Sequence, residues 1–423
     1  MTGSSFLAAC AKAPLDERVP VWFMRQAGRS LPEYKVAREG VGMLESCARP
    51  DLVTEITLQP VRRHGVDAAI LFSDIVLPLV VAGLDIEIKP GIGPVVAQPV
   101  RSVADVDALP LLDPSHLDFL TTAVRSLVQE LGPIPLIGFA GAPFTLATYL
   151  IEGGPSKEHA RTKAFMYAEP AAWSRLMERL ALSAATFLKV QMDAGASAVQ
   201  LFDSWAGVLS APDYEARVLP YSREVFEAIG SRDIPRIHFG VGTGELLPLI
   251  GDAGADVVGV DWRVPLDEAV RRIGGKLDRV DLAGRWYDTG PEAVLARVPE
   301  AVELIEALGL AAPEVPKVHF GVGTGELLPL IGDAGADVVG VDWRVPLDEA
   351  ARRVGPGYSL QGNLDPAVLL ADRATVDREV RRIVEQGRAA RGHVFNLGHG
   401  VLPDTDPGVL THVVELVHEL SAR

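Results

Sequence analysis

The chain has 423 residues, 48% hydrophobic and 23% charged, with a formal net charge of −16. That is enough for one large domain or two ordinary ones, and it excludes a disordered or fibrous chain. The acidic balance excludes a general nucleic-acid binder, which needs a basic face for phosphates. Cys10 and Cys47 are the two cysteines and there is no CxxC pair, which argues against a disulfide framework or a cysteine zinc site and fits a reducing, cytoplasmic compartment. The opening MTGSSFLAACAKAPLDER lacks a basic start and a long apolar run, so no secretory signal is expected. No uninterrupted apolar segment reaches about 18 residues, so no membrane span is expected either.

In chain order, eight short apolar runs read as strands: VPVWFMR (19–25), DAAILFSD (67–74), PLIGFAG (135–141), SAVQLFDS (197–204), RIHFGV (236–241), DVVGVDW (256–262), YSLQGNL (358–364) and HVFNLG (393–398). Most are continuously apolar, as strands buried on both faces of a parallel sheet are. Amphipathic helices lie between them, such as PSHLDFLTTAVRSLVQELG (114–132) and PAAWSRLMERLALSAATFLKVQMDAG (170–195), the second stopping at Gly195. Alternating strands and helices make an α/β fold, and eight strands suit a closed (β/α)8 TIM barrel. Arg25, Asp74, Ser204, Asp261 and His399 fall at the C-terminal ends of these strands, the end that carries the active site in such a barrel.

One feature exceeds eight strands. HFGVGTGELLPLIGDAGADVVGVDWRVPLDEA stands at 238–269 and again, unchanged, at 319–350, a period of 81 residues. Two units inside a non-repeating chain read as a segmental duplication and not as a solenoid. Strand number, tilt and shear are linked in a closed barrel. One copy is therefore expected in the barrel, with the first favoured, and the other outside as an appended lobe. The run GVGTGE (240–245 and 321–326) lacks GK[ST] and the GxGxxG spacing, so it reads as a strand-to-helix turn that needs permissive φ values.

The candidate chemistry starts with arginines. Arg25 and Arg29 stand four apart beside an apolar run, with Arg38 further on. Guanidinium groups bind carboxylates or phosphates bidentately and stay charged when partly buried. No phosphate loop with a lysine accompanies them, so a ligand with several carboxylates is indicated. Asp74, in ILFSDIVLPL, is either a helix cap or structural ion-pair partner, or a ligand-facing carboxylate that accepts N–H groups or stabilises a developing cation. Tyr149 and Ser204 are candidate hydroxyl donors, with packing as the other reading of Tyr149. His399, between glycines, is placed to face a ligand. There is no HExxH or GxSxG, and the nine histidines form no sequence-local metal set.

The segments PVWFMRQAGRSLPEY, LQPVRRHGVDAAILFSDIVLPL, GFAGAPFTLATYLIEGG, QLFDSWAG, VGVDWRVPLDEA, LQGNLDP and FNLGHGVLPDTDP closely resemble the uroporphyrinogen decarboxylase family, in the family's order. Removing one 81-residue period leaves 342 residues, about the family's single-domain size. The resemblance implies a (β/α)8 barrel, usually a homodimer with facing clefts, and no metal or organic cofactor. The implied reaction converts the four acetate arms of uroporphyrinogen III to methyl groups, giving coproporphyrinogen III. It implies Arg25 and Arg29 as clamps for carboxylate arms, with Gln26 and Ala27 on the same wall. It also implies Asp74 as acceptor for the pyrrole N–H groups, Arg38 in proton delivery, Tyr149, Ser204 and His399 as further contacts, and Phe139 and Phe202 as apolar walls. The rival readings are a tetrapyrrole binder made inactive by the duplication and a corrinoid-linked zinc methyltransferase.

Overall fold

The computed structural model describes residues 4–11, 20–24, 31–230, 234–261, 263–264, 266–273, 280–281, 318–402 and 404–421. The chain forms two units, Met1–Lys157 with Ala171–Ala206 and Tyr214–Arg285, and Glu158–Pro170 with Gly207–Asp213 and Trp286–Arg423.

The first unit carries β1 (Ala69–Ile70), an antiparallel hairpin of β2 (Ile86–Lys89) and β3 (Gly93–Val96), then β4 (Leu136–Gly141), β5 (Ala198–Asp203), β6 (Arg236–Gly240), β7 (Val257–Gly259) and β8 (Val280–Asp281). Strands β1, β4, β5, β6, β7 and β8 form one parallel sheet in that order. Every residue of β4 and β5 is buried, which explains their unbroken apolar sequence. Ala68, Ile137, Ala198, Ile237 and Val257 make a single apolar layer at the N-terminal ends of the strands. Phe6 and Cys10, from the helix Ser5–Cys10, seal that layer. The long helix Pro170–Ala194 fixes β4 from outside: Gln191 accepts the Phe139 N–H at 2.9 Å and donates to the Phe139 carbonyl at 3.0 Å. A Cβ on Gly138 would come within 2.6 Å of the Gln191 side chain, so the contact needs glycine there. The helix stops at Gly195, whose φ of +113° suits glycine.

The second unit holds a parallel four-stranded sheet in the order β12 (His393–Leu397), β11 (Ser359–Leu364), β10 (Val338–Gly340) and β9 (Val318–Phe320). Its helices include Ala160–Ala168, Leu347–Val354 and Arg373–Gly387. Asp372 caps the last of these by accepting the Thr375 N–H at 2.9 Å.

The run at 19–25 departs from expectation. Its described residues, 20–24, carry no assigned strand. Val21 pairs with Asp67, which donates its N–H to the Val21 carbonyl and accepts the Val21 N–H on its carboxylate, both at 2.8 Å. A side chain therefore takes a ladder bond. The run at 67–74 is also shorter as a strand, because the Phe72 N–H turns to the Thr57 hydroxyl at 2.9 Å. Each copy of the repeat supplies two strands, β6 with β7 and β9 with β10. Among the described residues, no helix is long and apolar enough to cross a membrane.

Candidate active site

In the first unit the candidate residues gather at the C-terminal ends of the strands. Asp74 follows β1 and is half-buried. One carboxylate oxygen accepts the Val76 N–H at 3.0 Å, and its carbonyl accepts the Leu77 N–H at 3.1 Å. It thus shapes the turn that leads into the helix Leu77–Val81, whose N-cap is Val76 without a side-chain cap bond. Arg38 ends the helix Pro32–Ala37. Its guanidinium donates to the Ser46 hydroxyl at 3.0 Å, the Val41 carbonyl at 3.2 Å and the Tyr34 hydroxyl. Three of its five N–H donors are committed to its own segment, so Arg38 acts there as a brace. The buried Cys47 joins the two residues. Burial, and then the Asp74 charge, push its thiol up from the ordinary range, against the pull of Arg38 and the Asp74 N–H. A thiol held protonated this way is no nucleophile.

Phe139 and Phe202 are buried and meet edge-on, with ring centroids 5.4 Å apart. Phe239 continues the row 5.9 Å beyond Phe202. The register explains it, since Phe139 stands opposite Gln200, and Phe202 opposite Phe239. Three neighbouring strands thereby present one apolar wall. Tyr149, on the helix Pro143–Glu152, is half-buried against Trp205 at 6.1 Å. Ser204 is held by its neighbours: the buried Thr145 hydroxyl donates to Asp203 at 3.1 Å and accepts the Trp205 N–H at 3.3 Å. Thr145 thus ties the Asp203 side chain and the Trp205 backbone on either side of Ser204, and it gives no sequence signal because it lies in an apolar helix start. Arg25, Gln26, Ala27 and Arg29 lie outside the described residues.

The second unit carries His399, which is exposed on the loop after β12. The Gly398 N–H donates to the Leu364 carbonyl at 2.8 Å. A Cβ on Gly398 would fall 2.5 Å from the Trp343 nitrogen, so only glycine lets the loop approach this closely. The Trp343 ring meets the His399 ring edge-on at 6.5 Å. Beneath lies a buried ion pair, with Lys163 Nζ 2.7 and 3.0 Å from the two oxygens of Asp365. Neither residue was singled out from sequence. They stand 202 residues apart, and no local spacing marks a lysine as buried. Among the described residues, no group of three or more His, Cys, Asp or Glu side chains is placed to hold a metal ion.

A parallel α/β chain with polar candidate residues at its strand ends has the layout of a barrel enzyme. The profile of the family described as Uroporphyrinogen decarboxylase (URO-D) matches residues 1–287 and 294–420. The uroporphyrinogen decarboxylase of Streptomyces coelicolor is 52% identical over 420 residues, covering 99% of this chain and 95% of the relative. That of Nocardia farcinica is 54% identical over 425 residues, covering 99% and 97%. Among solved structures, a methyltransferase from Methanosarcina mazei superposes with a TM-score of 0.50 at 13% identity, over 99% of this chain and 98% of that one, a likeness of fold alone. The chain belongs to the uroporphyrinogen decarboxylase family, whose fold is the (β/α)8 barrel.

Proposed function

We propose that this chain is a carboxy-lyase of porphyrin and haem biosynthesis, removing carbon dioxide from the four acetate arms of uroporphyrinogen III to give coproporphyrinogen III. The observation that carries this reading is identity above 50% with named decarboxylases over 99% of the chain. The chemistry fits the residues. The substrate has eight carboxylates and four pyrrole N–H groups. Arg25 and Arg29 clamp carboxylate arms, with Gln26 and Ala27 beside them. Asp74 accepts pyrrole N–H groups, Tyr149, Ser204 and His399 make further contacts, and Phe139 and Phe202 wall the cleft.

Protonation of a pyrrole α-carbon makes the ring cationic. The bond to the carboxylate then breaks, its electron pair flows into the ring, and carbon dioxide leaves. The resulting methylene takes a proton to become methyl, and the α-carbon returns its own. The ring is the electron sink, so the reaction proceeds without a cofactor. A fixed carboxylate at Asp74 lowers the barrier by facing the cation. Arg38 serves proton delivery by holding the wall around Asp74, since arginine is a poor acid.

The test is turnover of uroporphyrinogen III by the purified chain under anaerobic, reducing conditions, with and without a chelator. Coproporphyrinogen is expected in both, and no consumption of substrate would sink the reading in favour of an inactive binder. Asp74→Asn keeps size and hydrogen bonding and removes the charge, and kcat should fall on the order of 10²–10³-fold. A near-native kcat would remove Asp74 from its role. We further propose a cytoplasmic homodimer, and sedimentation would check its oligomeric state.

One copy of the repeat is proposed to suffice for the barrel, with the strands of the other outside it as an appended lobe. Support comes from ten described strands in the two parallel sheets, two more than the barrel uses. Deleting 81 residues, Phe239 through His319, should give a chain that keeps decarboxylation and associates less. Loss of folding would count against it.

A further inference from the structure

Lys163 stands on the helix Ala160–Ala168 with its side chain 2% exposed, paired with an Asp365 side chain 9% exposed. Replacing a buried ion pair by apolar residues is often neutral for stability, so stability alone accounts poorly for its presence. Its placement accounts for it better. Asp365 directly follows β11 and also accepts the Ala367 N–H at 2.9 Å, starting the turn Pro366–Leu370. Leu364, one residue back, receives the Gly398 N–H. The same Lys163 ammonium lies 4.4 Å from the centroid of the Trp343 ring, and the Arg344 guanidinium lies 4.3 Å from it. The indole N–H donates to the Val208 carbonyl at 2.7 Å, and Arg344 donates to the Gly207 carbonyl at 2.8 Å. Two cations and a hydrogen bond therefore fix the indole. That fixed ring is what His399 meets, and Lys163, Asp365 and His399 line one small cavity.

We infer that Lys163, Asp365 and Trp343 are positioning residues for His399, holding its glycine-flanked loop and restricting its exposed imidazole to the orientation used on the substrate. The inference rests on the reading that His399 contacts uroporphyrinogen. An exposed histidine between glycines is otherwise free to rotate, and each lost rotamer is entropy that binding need not supply. Lys163 itself touches no substrate, because its donors are taken by Asp365 and the indole face.

A mutant cycle on the full chain tests it, with kcat and KM for uroporphyrinogen and the melting temperature as readouts. Lys163→Met with Asp365→Asn removes the pair without leaving a lone buried charge. The pair variant should melt near the parent temperature and lose about 10- to 100-fold in kcat/KM through misplacement. His399→Ala alone should lose activity, and adding the pair variant to it should cost nothing further, because both act through one group. Losses that multiply would overturn the inference while leaving His399 as a substrate contact. An unchanged kcat/KM in His399→Ala would overturn the His399 reading and the inference together. Should the pair variant fail to fold, Trp343→Leu carries the same cycle. Its loss should vanish in the His399→Ala background, and Trp343→Phe, which restores a ring, should recover activity. A Trp343→Leu loss that persists without His399 would refute the inference.

Discussion

Residues 238–269 and 319–350 are one sequence folded in two places. Within each, Gly242 and Gly323 take left-handed φ values of +68° and +70°, and their N–H groups donate to Asp261 and Asp342. The same carboxylates accept the backbone N–H of Arg263 and Arg344, both at 2.9 Å. Just past each copy, Arg272 and Arg353 reach back one turn to Glu268 and Glu349 at 2.5 and 2.6 Å. Burial, by contrast, diverges. Ile237 and Phe239 on β6 are 0% and 3% exposed, while their counterparts Val318 and Phe320 on β9 are 52% and 41% exposed. Strand β6 lies between β5 and β7, whereas β9 is the end strand of its sheet, with β10 on one side. Hydrogen bonds closed within the segment repeat with the sequence, and burial belongs to the neighbours.

The largest effect expected from this contrast is on stability. Phe239→Ala opens a cavity between β5 and β7 and removes the stack on Phe202, at a cost of about 3–5 kcal/mol. Phe320→Ala, the same change in the same sequence, should cost no more than about 1 kcal/mol, because a large part of that ring already meets water. Denaturation of the two variants side by side would show it, and equal losses would break the contrast. Exposed Val318 and Phe320 on an end strand, with exposed Val322 in the turn after it, are also where self-association is expected.

What was legible from the amino acids divides along the same line. Seven of the eight apolar runs contain a described strand, because a short unbroken apolar segment can be buried only between other elements. The run at 19–25 misled because Asp67, a side chain 46 residues away, takes its hydrogen bond. Strand β8 went unseen, since RVDLAG has no apolar run to announce it. In the candidate site, Asp74 and Ser204 were visible as polar residues at the ends of apolar segments, and Tyr149 as a hydroxyl within one. Lys163 and Asp365 were not, because each looks like a surface charge until the fold brings them together. Thr145 was hidden for a related reason, as its partners Asp203 and Trp205 lie on another strand end.

The smallest expected difference sharpens the contrast from the other side. Asp261 and Asp342 are 5% and 4% exposed, and each satisfies the same two backbone N–H groups inside its own copy. Replacing either by alanine leaves those donors short of an acceptor in a buried turn, at a cost of about 1–3 kcal/mol. Each arginine also loses its carboxylate partner, at 2.8 Å for Arg263 and 3.0 Å for Arg344. If local sequence sets this turn, Asp261→Ala and Asp342→Ala should lose the same stability to within about 0.5 kcal/mol, the usual scatter between independent sites. Hydrogen exchange at the Gly242 and Gly323 amides reads each turn directly, whichever unit unfolds first. Both amides should lose protection in their own variant and keep it in the other. A gap above about 1 kcal/mol, or loss of protection at both glycines from one substitution, would mean that the surroundings shape even the turn.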